Sequence, residues 1–132
     1  MKKKTYPARY PVKVGFARSV VVGPYVFVSG CSGQTLETFH VDSDDSERQT
    51  EVALEKIRGA LEEAGASMND IVKNVIYLTR PEDEPRVVKR ILEYYREYAP
   101  NLVEKPPVET VICVPALHEP DILVEIDSTA II

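Results

Sequence analysis

A chain of 132 residues can bury a core without help from disulfides or metal, and its net charge of −5 argues against nucleic acid as the main partner, because phosphate binding needs a basic patch. Hydrophobic residues make up 44%, an ordinary share for a globular protein, and no apolar run approaches the roughly 20 residues of a membrane helix. Lys2, Lys3 and Lys4 are followed by Tyr6, Pro7, Arg9, Tyr10 and Pro11 rather than by an apolar stretch, so the expectation is a cytoplasmic protein with no signal peptide.

Residues 1–14, rich in Lys and Pro, read as an extended N-terminal arm on a single domain spanning residues 1–132. A β-hairpin follows, with Ser19–Val22 and Tyr25–Ser29 as strands and Gly23-Pro24 as the turn. Gly30 and Gly33 suggest a bend and then a loop. The acidic run Asp42–Glu47 suits the lead-in to a helix, and Ser46 with Gln49 has the spacing of a capping box. The first helix is expected over residues 47–63, with Ala53, Leu54, Ile57, Ala60, Leu61 and Ala64 as its apolar stripe and Gly65 as its stop. A strand follows over residues 71–79. The second helix starts near Pro85, buries Val87, Val88, Ile91, Leu92, Tyr95 and Tyr98, and ends at Pro100. Two last strands are expected over residues 108–114 and 122–131.

The order is β-β-α-β-α-β-β, an α+β arrangement in which two amphipathic helices cover one face of a sheet of about five strands. The strand faces left open are also quite apolar, which predicts self-association. No phosphate loop, dinucleotide fingerprint or nucleophile elbow is present. The isolated His40 and His118 have no metal-ligand spacing, and Cys31 and Cys113 form no Cys-x-x-Cys pair and are expected to be free thiols on strands. Glu125 and Asp127, two apart on the last strand, put carboxylates roughly 6–7 Å apart on one face, as a solvated rim or as an acid–base pair. Ser29-Gly30 fits either a plain turn or a ligand contact.

The stretch Gly23-Pro24-Tyr25-Val26-Phe27-Val28-Ser29-Gly30 resembles the strand signature of the Rid/YjgF family, also labelled L-PSP endoribonuclease or translation initiation inhibitor. Gln49-Thr50, Ala53–Ile57, Leu61–Ser67, Ile71–Thr79, Pro106-Pro107 and Leu123–Asp127 follow in the family's order, so the resemblance spans most of the chain. It implies a chorismate-mutase-like fold and a homotrimer whose open sheet faces line a central barrel, with a small-molecule ligand cleft at each subunit interface; the lack of a membrane-length apolar run adds the expectation of no membrane contact. It also implies cofactor-free hydrolysis of imines and enamines to ketones and ammonia. Carried over by position, the glutamate that orients the attacking water is Glu125, and the ligand-binding positions are Phe16, Ser29, Gly30 and Cys31. The usual carboxylate-holding arginine falls on Glu109, and no arginine occurs after Asn101. Two like charges ~4 Å apart repel by about 4 kcal/mol at an effective dielectric near 20. Amino-acid imines are therefore expected to bind poorly unless Arg18, beside the expected cleft, supplies the missing cation; Arg18 equally suits an ion pair with Glu109. The two functions this leaves are a deaminase of altered specificity and a non-catalytic trimer that binds a metabolite or a protein.

Overall fold

Gly23 takes a φ of 59° at the first position of a two-residue turn, and this lets β2 (Ala17–Val22) fold back on β3 (Tyr25–Ser32) as a hairpin. In the computed structural model, which describes Met1–Ile132, the hairpin is the nucleus of a six-stranded sheet. Strand β1 (Lys3–Pro7) pairs with β2, and β6 (Val124–Ile131) pairs with β3 on one side and β4 (Ile71–Leu78) on the other. Strand β5 (Val108–Cys113) closes the order β1-β2-β3-β6-β4-β5 and is parallel to β4, whereas the other neighbours are antiparallel. That single parallel pair needs a crossover, supplied by α2 (Glu84–Tyr98) and the short α3 (Asn101–Glu104).

Helix α1 (Ser46–Glu63) buries Ala53, Leu54, Ile57, Ala60 and Leu61 against Val26, Val28, Cys31 and Ile126 of the sheet. Its end is a Schellman motif: Ala66 N–H reaches the Leu61 carbonyl, Gly65 N–H reaches Glu62, and Gly65 adopts a φ of 83°. The other end differs from the expected capping box. Asp45 is the N-cap and accepts from Glu47 N–H at 3.0 Å, which frees Gln49 for a different task. The buried Gln49 amide donates to the carbonyls of Ser43 (2.8 Å) and Asp121 (3.0 Å) and accepts from Leu123 N–H (2.8 Å). Gly33 makes this docking possible, since a Cβ there would sit 2.6 Å from Gln49 Cβ. Helix α2 buries a narrower stripe than its periodicity suggests. Val87, Ile91, Tyr94 and Tyr95 face inward, while Val88, Leu92 and Tyr98 remain exposed.

Three further expectations are corrected. Strand β3 does not stop at Ser29: it continues to Ser32 through a bulge between Val28 and Cys31. Part of the N-terminal arm is strand β1, which makes the sheet six strands rather than five. The expected barrel is not formed. Closure requires the two edge strands to pair, but β1 bonds only to β2 and β5 only to β4, so the sheet stays open with helices on one face. Its other face exposes Tyr25, Phe27, Val108 and Ile112. No helix is long and apolar enough to cross a membrane.

Candidate active site

At one end of the sheet, where β2 begins, β3 ends and β6 begins, a cavity of about 250 Å³ opens. Glu125 enters it from the start of β6, Arg18 from the start of β2 and Gly30 from the bulge of β3. The bulge is what turns the β3 backbone toward the carboxylate. A Cβ at Gly30 would lie 3.1 Å from the Glu125 carboxyl carbon, so the missing side chain leaves that group its space. Tyr10 and Phe16 form the aromatic wall, with ring centroids 5.8 Å apart at 79°, and Tyr10 also stacks on Phe39 at 5.4 Å. Lys56 of α1, Ser32, Gln34 and His118 complete the lining.

The charges are unevenly matched. Arg9, Arg48, Arg58, Arg80, Arg86 and Arg90 all form ion pairs; Arg96, on the surface, and Arg18 form none, and Arg18 is only 9% exposed. Its one hydrogen bond is from Nη1 to the Cys31 sulfur at 3.3 Å. Lys56 likewise has no ion pair and donates to the Gln34 carbonyl at 2.8 Å. Burial lowers the Lys56 amine from its ordinary range, Arg18 pushes it the same way, and Cys31 and Glu125 oppose the shift. A guanidinium taken out of water without a counter-charge costs several kcal/mol, so a site built this way is suited to an anionic ligand.

Of the residues expected from sequence, the fold brings Phe16, Arg18, Gly30 and Glu125 to one cavity. Cys31 lies beneath it, fully buried, its S–H directed at the Ser29 carbonyl (3.4 Å), and burial pushes its thiol up. Such a thiol is inert rather than nucleophilic. The Ser29 hydroxyl is committed to the Ala17 carbonyl at 2.6 Å, which holds the bulge against β2. Glu109 stands elsewhere on the chain. It is on edge strand β5 opposite Asn74, on the helix side of the sheet, while Glu125 is opposite Tyr77 on β4. Burial raises the Glu109 carboxyl above its usual range, helped by the charge of Glu84. Glu109 and Arg18 form no ion pair within the chain. Asp127 points into a separate depression on the open face with Lys73 and Phe27.

Tyr10, Ser32, Gln34, Lys56 and His118 were not singled out from sequence. Only Lys56 carried a readable signal, since a lysine one residue before Ile57 and four before Ala60 lies beside the buried stripe of α1. A larger groove of about 730 Å³ runs under the N-terminal segment, but no carboxylate, histidine or thiol lines it. The smaller cavity, by contrast, gathers a carboxylate, an imidazole and two cations.

A family model described as Endoribonuclease L-PSP matches residues 4–132. The chain belongs to that family. A RutC family protein of Pyrococcus abyssi is 33% identical over 103 residues, covering 77% of this chain and 81% of the relative. Another, from Saccharolobus solfataricus, is 32% identical over 127 residues, covering 96% and 94%. Among solved structures, a Mycobacterium tuberculosis member of the YjgF/YER057c/UK114 family superposes with a TM-score of 0.80 at 29% identity over 99% of this chain and 100% of that one. A Rid family protein of Yersinia pestis reaches a TM-score of 0.85 at 23% identity over 99% and 100%, which speaks to the fold alone.

Proposed function

We propose that this member of the family is a cofactor-free deaminase that hydrolyses the C=N bond of small 2-imino acids, with its cleft completed at the boundaries of a homotrimer. The observation that carries the reading is the shared cavity of Glu125 and the unpaired Arg18. Arg18 supplies the cation that position 109 lacks. Its fork holds the substrate carboxylate in two parallel hydrogen bonds and gains the direct ion pair that the chain itself does not provide. Glu125 accepts a proton from a water molecule as the water oxygen bonds to the imine carbon and passes it to nitrogen, then relays the remaining hydroxyl proton to nitrogen as the C–N bond breaks. One water is consumed, and a 2-oxo acid and ammonia leave. Gly30 keeps that carboxylate free to move between the two tasks. Glu109, on an edge strand, takes part as a specificity residue from a neighbouring chain, where it accepts hydrogen bonds from a donor-rich part of the substrate.

The test is 2-aminoacrylate generated in the presence of the protein, followed by pyruvate release. The expected result is acceleration that Glu125→Ala abolishes and that Arg18→Gln weakens through KM by about 10- to 100-fold, the loss of a charge-assisted bidentate contact. A protein that binds 2-oxo acids without accelerating the reaction would be the binding module instead. A ribonuclease role has little support, since the chain is acidic and the cavity too small for a polynucleotide track.

A further inference from the structure

Lys56 reaches the cleft from α1 with one task visible within the chain, a hydrogen bond to the Gln34 carbonyl. It has no carboxylate partner, and a second cation, Arg18, lines the same cavity. An exposed structural lysine on a helix finds water or an acid four residues away. Lys56 instead faces a confined space that also holds Glu125. Burial and a neighbouring cation are the two conditions under which a lysine gives up its proton and becomes a nucleophile. A neutral amine can still donate one N–H to Gln34 while its lone pair stays free for the cavity.

We propose that Lys56 is a nucleophile of this cleft, forming a covalent imine with the C2 carbon of a 2-oxo or 2-imino acid whose carboxylate is held by Arg18. The proposal rests on the reading of the cleft as a site for C=N chemistry and adds a covalent intermediate to it. With a 2-imino acid, the lysine nitrogen adds to C2 and the substrate nitrogen departs as ammonia, leaving the lysine imine. Water, deprotonated by Glu125, then adds to the same carbon. Glu125 relays both water protons in turn to the lysine nitrogen, the second as the C–N bond to Lys56 breaks, and the 2-oxo acid leaves. The net reaction is unchanged: one water in, one ammonia out. With a 2-oxo acid alone, the reverse of the second half forms the lysine imine and releases one water. That step can therefore be observed without any imine substrate.

The experiment incubates the intact protein with pyruvate and cyanoborohydride, which reduces a lysine imine to a stable secondary amine, and locates the adduct by peptide mass mapping. The expected result is one reduced pyruvate unit on Lys56, absent in Lys56→Arg and lowered about tenfold in Arg18→Gln, which loses the bidentate hold on the carboxylate. Labelling spread over the surface lysines and the N-terminus, or no labelling, overturns the proposal, and this readout on the wild-type protein needs no variant to fold. Wild-type turnover by Lys56→Arg on 2-aminoacrylate overturns it as well. A protein that turns over 2-aminoacrylate but traps no pyruvate would keep the hydrolytic reading and lose the covalent one. A protein that traps pyruvate at Lys56 without turnover would do the reverse.

Discussion

Gly30 is a residue whose value lies in what it lacks. Its backbone sits in the β3 bulge, and the space a methyl group would fill is taken by the Glu125 carboxyl. A Gly30→Ala variant should fold, because the backbone there does not adopt a left-handed φ and the atom met is the end of a flexible side chain. Glu125 would be displaced by a few tenths of an ångström. Misplacement of a catalytic group on that scale is expected to reduce kcat by about 10- to 100-fold with a stability change under about 1 kcal/mol, checked by steady-state kinetics beside thermal melting. At this scale the residue pattern drew attention to Glu125 and Gly30, whereas Phe16 and Arg18 were reached only through the family resemblance; the fold places all four on one cavity. The sequence was silent about Tyr10 and His118, because neither the irregular N-terminal segment nor the loop between β5 and β6 has a periodicity that says which way a side chain points. Ser29 shows the opposite failure. A serine at a strand end suits a ligand, and only the fold reveals that Ala17's carbonyl already occupies its hydroxyl.

The two long helices are joined by a small charge network. Glu51 of α1 accepts from Arg90 of α2 at 2.8 Å and from Arg48 at 2.6 Å, and Arg86 of α2 reaches Asp45 and Glu47 at the start of α1. Hydrogen bonding from Arg90, with Arg48 beside it, holds the Glu51 carboxyl below its usual range. A carboxyl with a depressed folded-state pKa stabilises the fold above its unfolded pKa, near 4.3, and loses that contribution as the pH falls through the folded value. Glu51→Gln is therefore expected to cost about 1 kcal/mol in denaturant unfolding at neutral pH and progressively less as the pH is lowered below about 4, the modest value reflecting a partly exposed pair. Helix α1 was legible almost to the residue because its apolar stripe is unbroken and Gly65 stops it. The stripe of α2 was read too wide. Val88, Leu92 and Tyr98 fit a helical period, but one sheet and one neighbouring helix bury only part of its circumference, and apolar side chains left over remain outside.

As a whole, the molecule is an open six-stranded sheet with one face clothed by helices and the other bearing Tyr25, Phe27, Val108 and Ile112 in solvent. Apolar area on that scale favours association with further copies, and light scattering is expected to give about three subunits. A monomer at micromolar concentration would remove the subunit boundary from the proposed cleft. The arrangement of helices on one side followed from counting amphipathic elements, but the sheet's strand order did not. Pairing β6 between β3 and β4 is a long-range choice among strands of similar composition, and it is this choice that sets Glu125 beside the bulge and sends Glu109 to an edge. A short strand in a segment rich in lysine and proline gave no alternating pattern to announce β1.

The Gln49 clamp links these levels. Leu123 N–H, just before β6 and two residues from Glu125, is bonded to a helix side chain rather than to a neighbouring strand. Its exchange with deuterated solvent should therefore follow the opening of α1, not the fraying of the sheet edge. In Gln49→Ala that amide should exchange at least about tenfold faster, while amides in the middle of β6 slow or quicken only with global stability. The helix, by this one amide side chain, acts as the clasp on the segment that delivers Glu125, so the rigidity of the cavity end of the sheet is borrowed from an element that carries no part of that sheet.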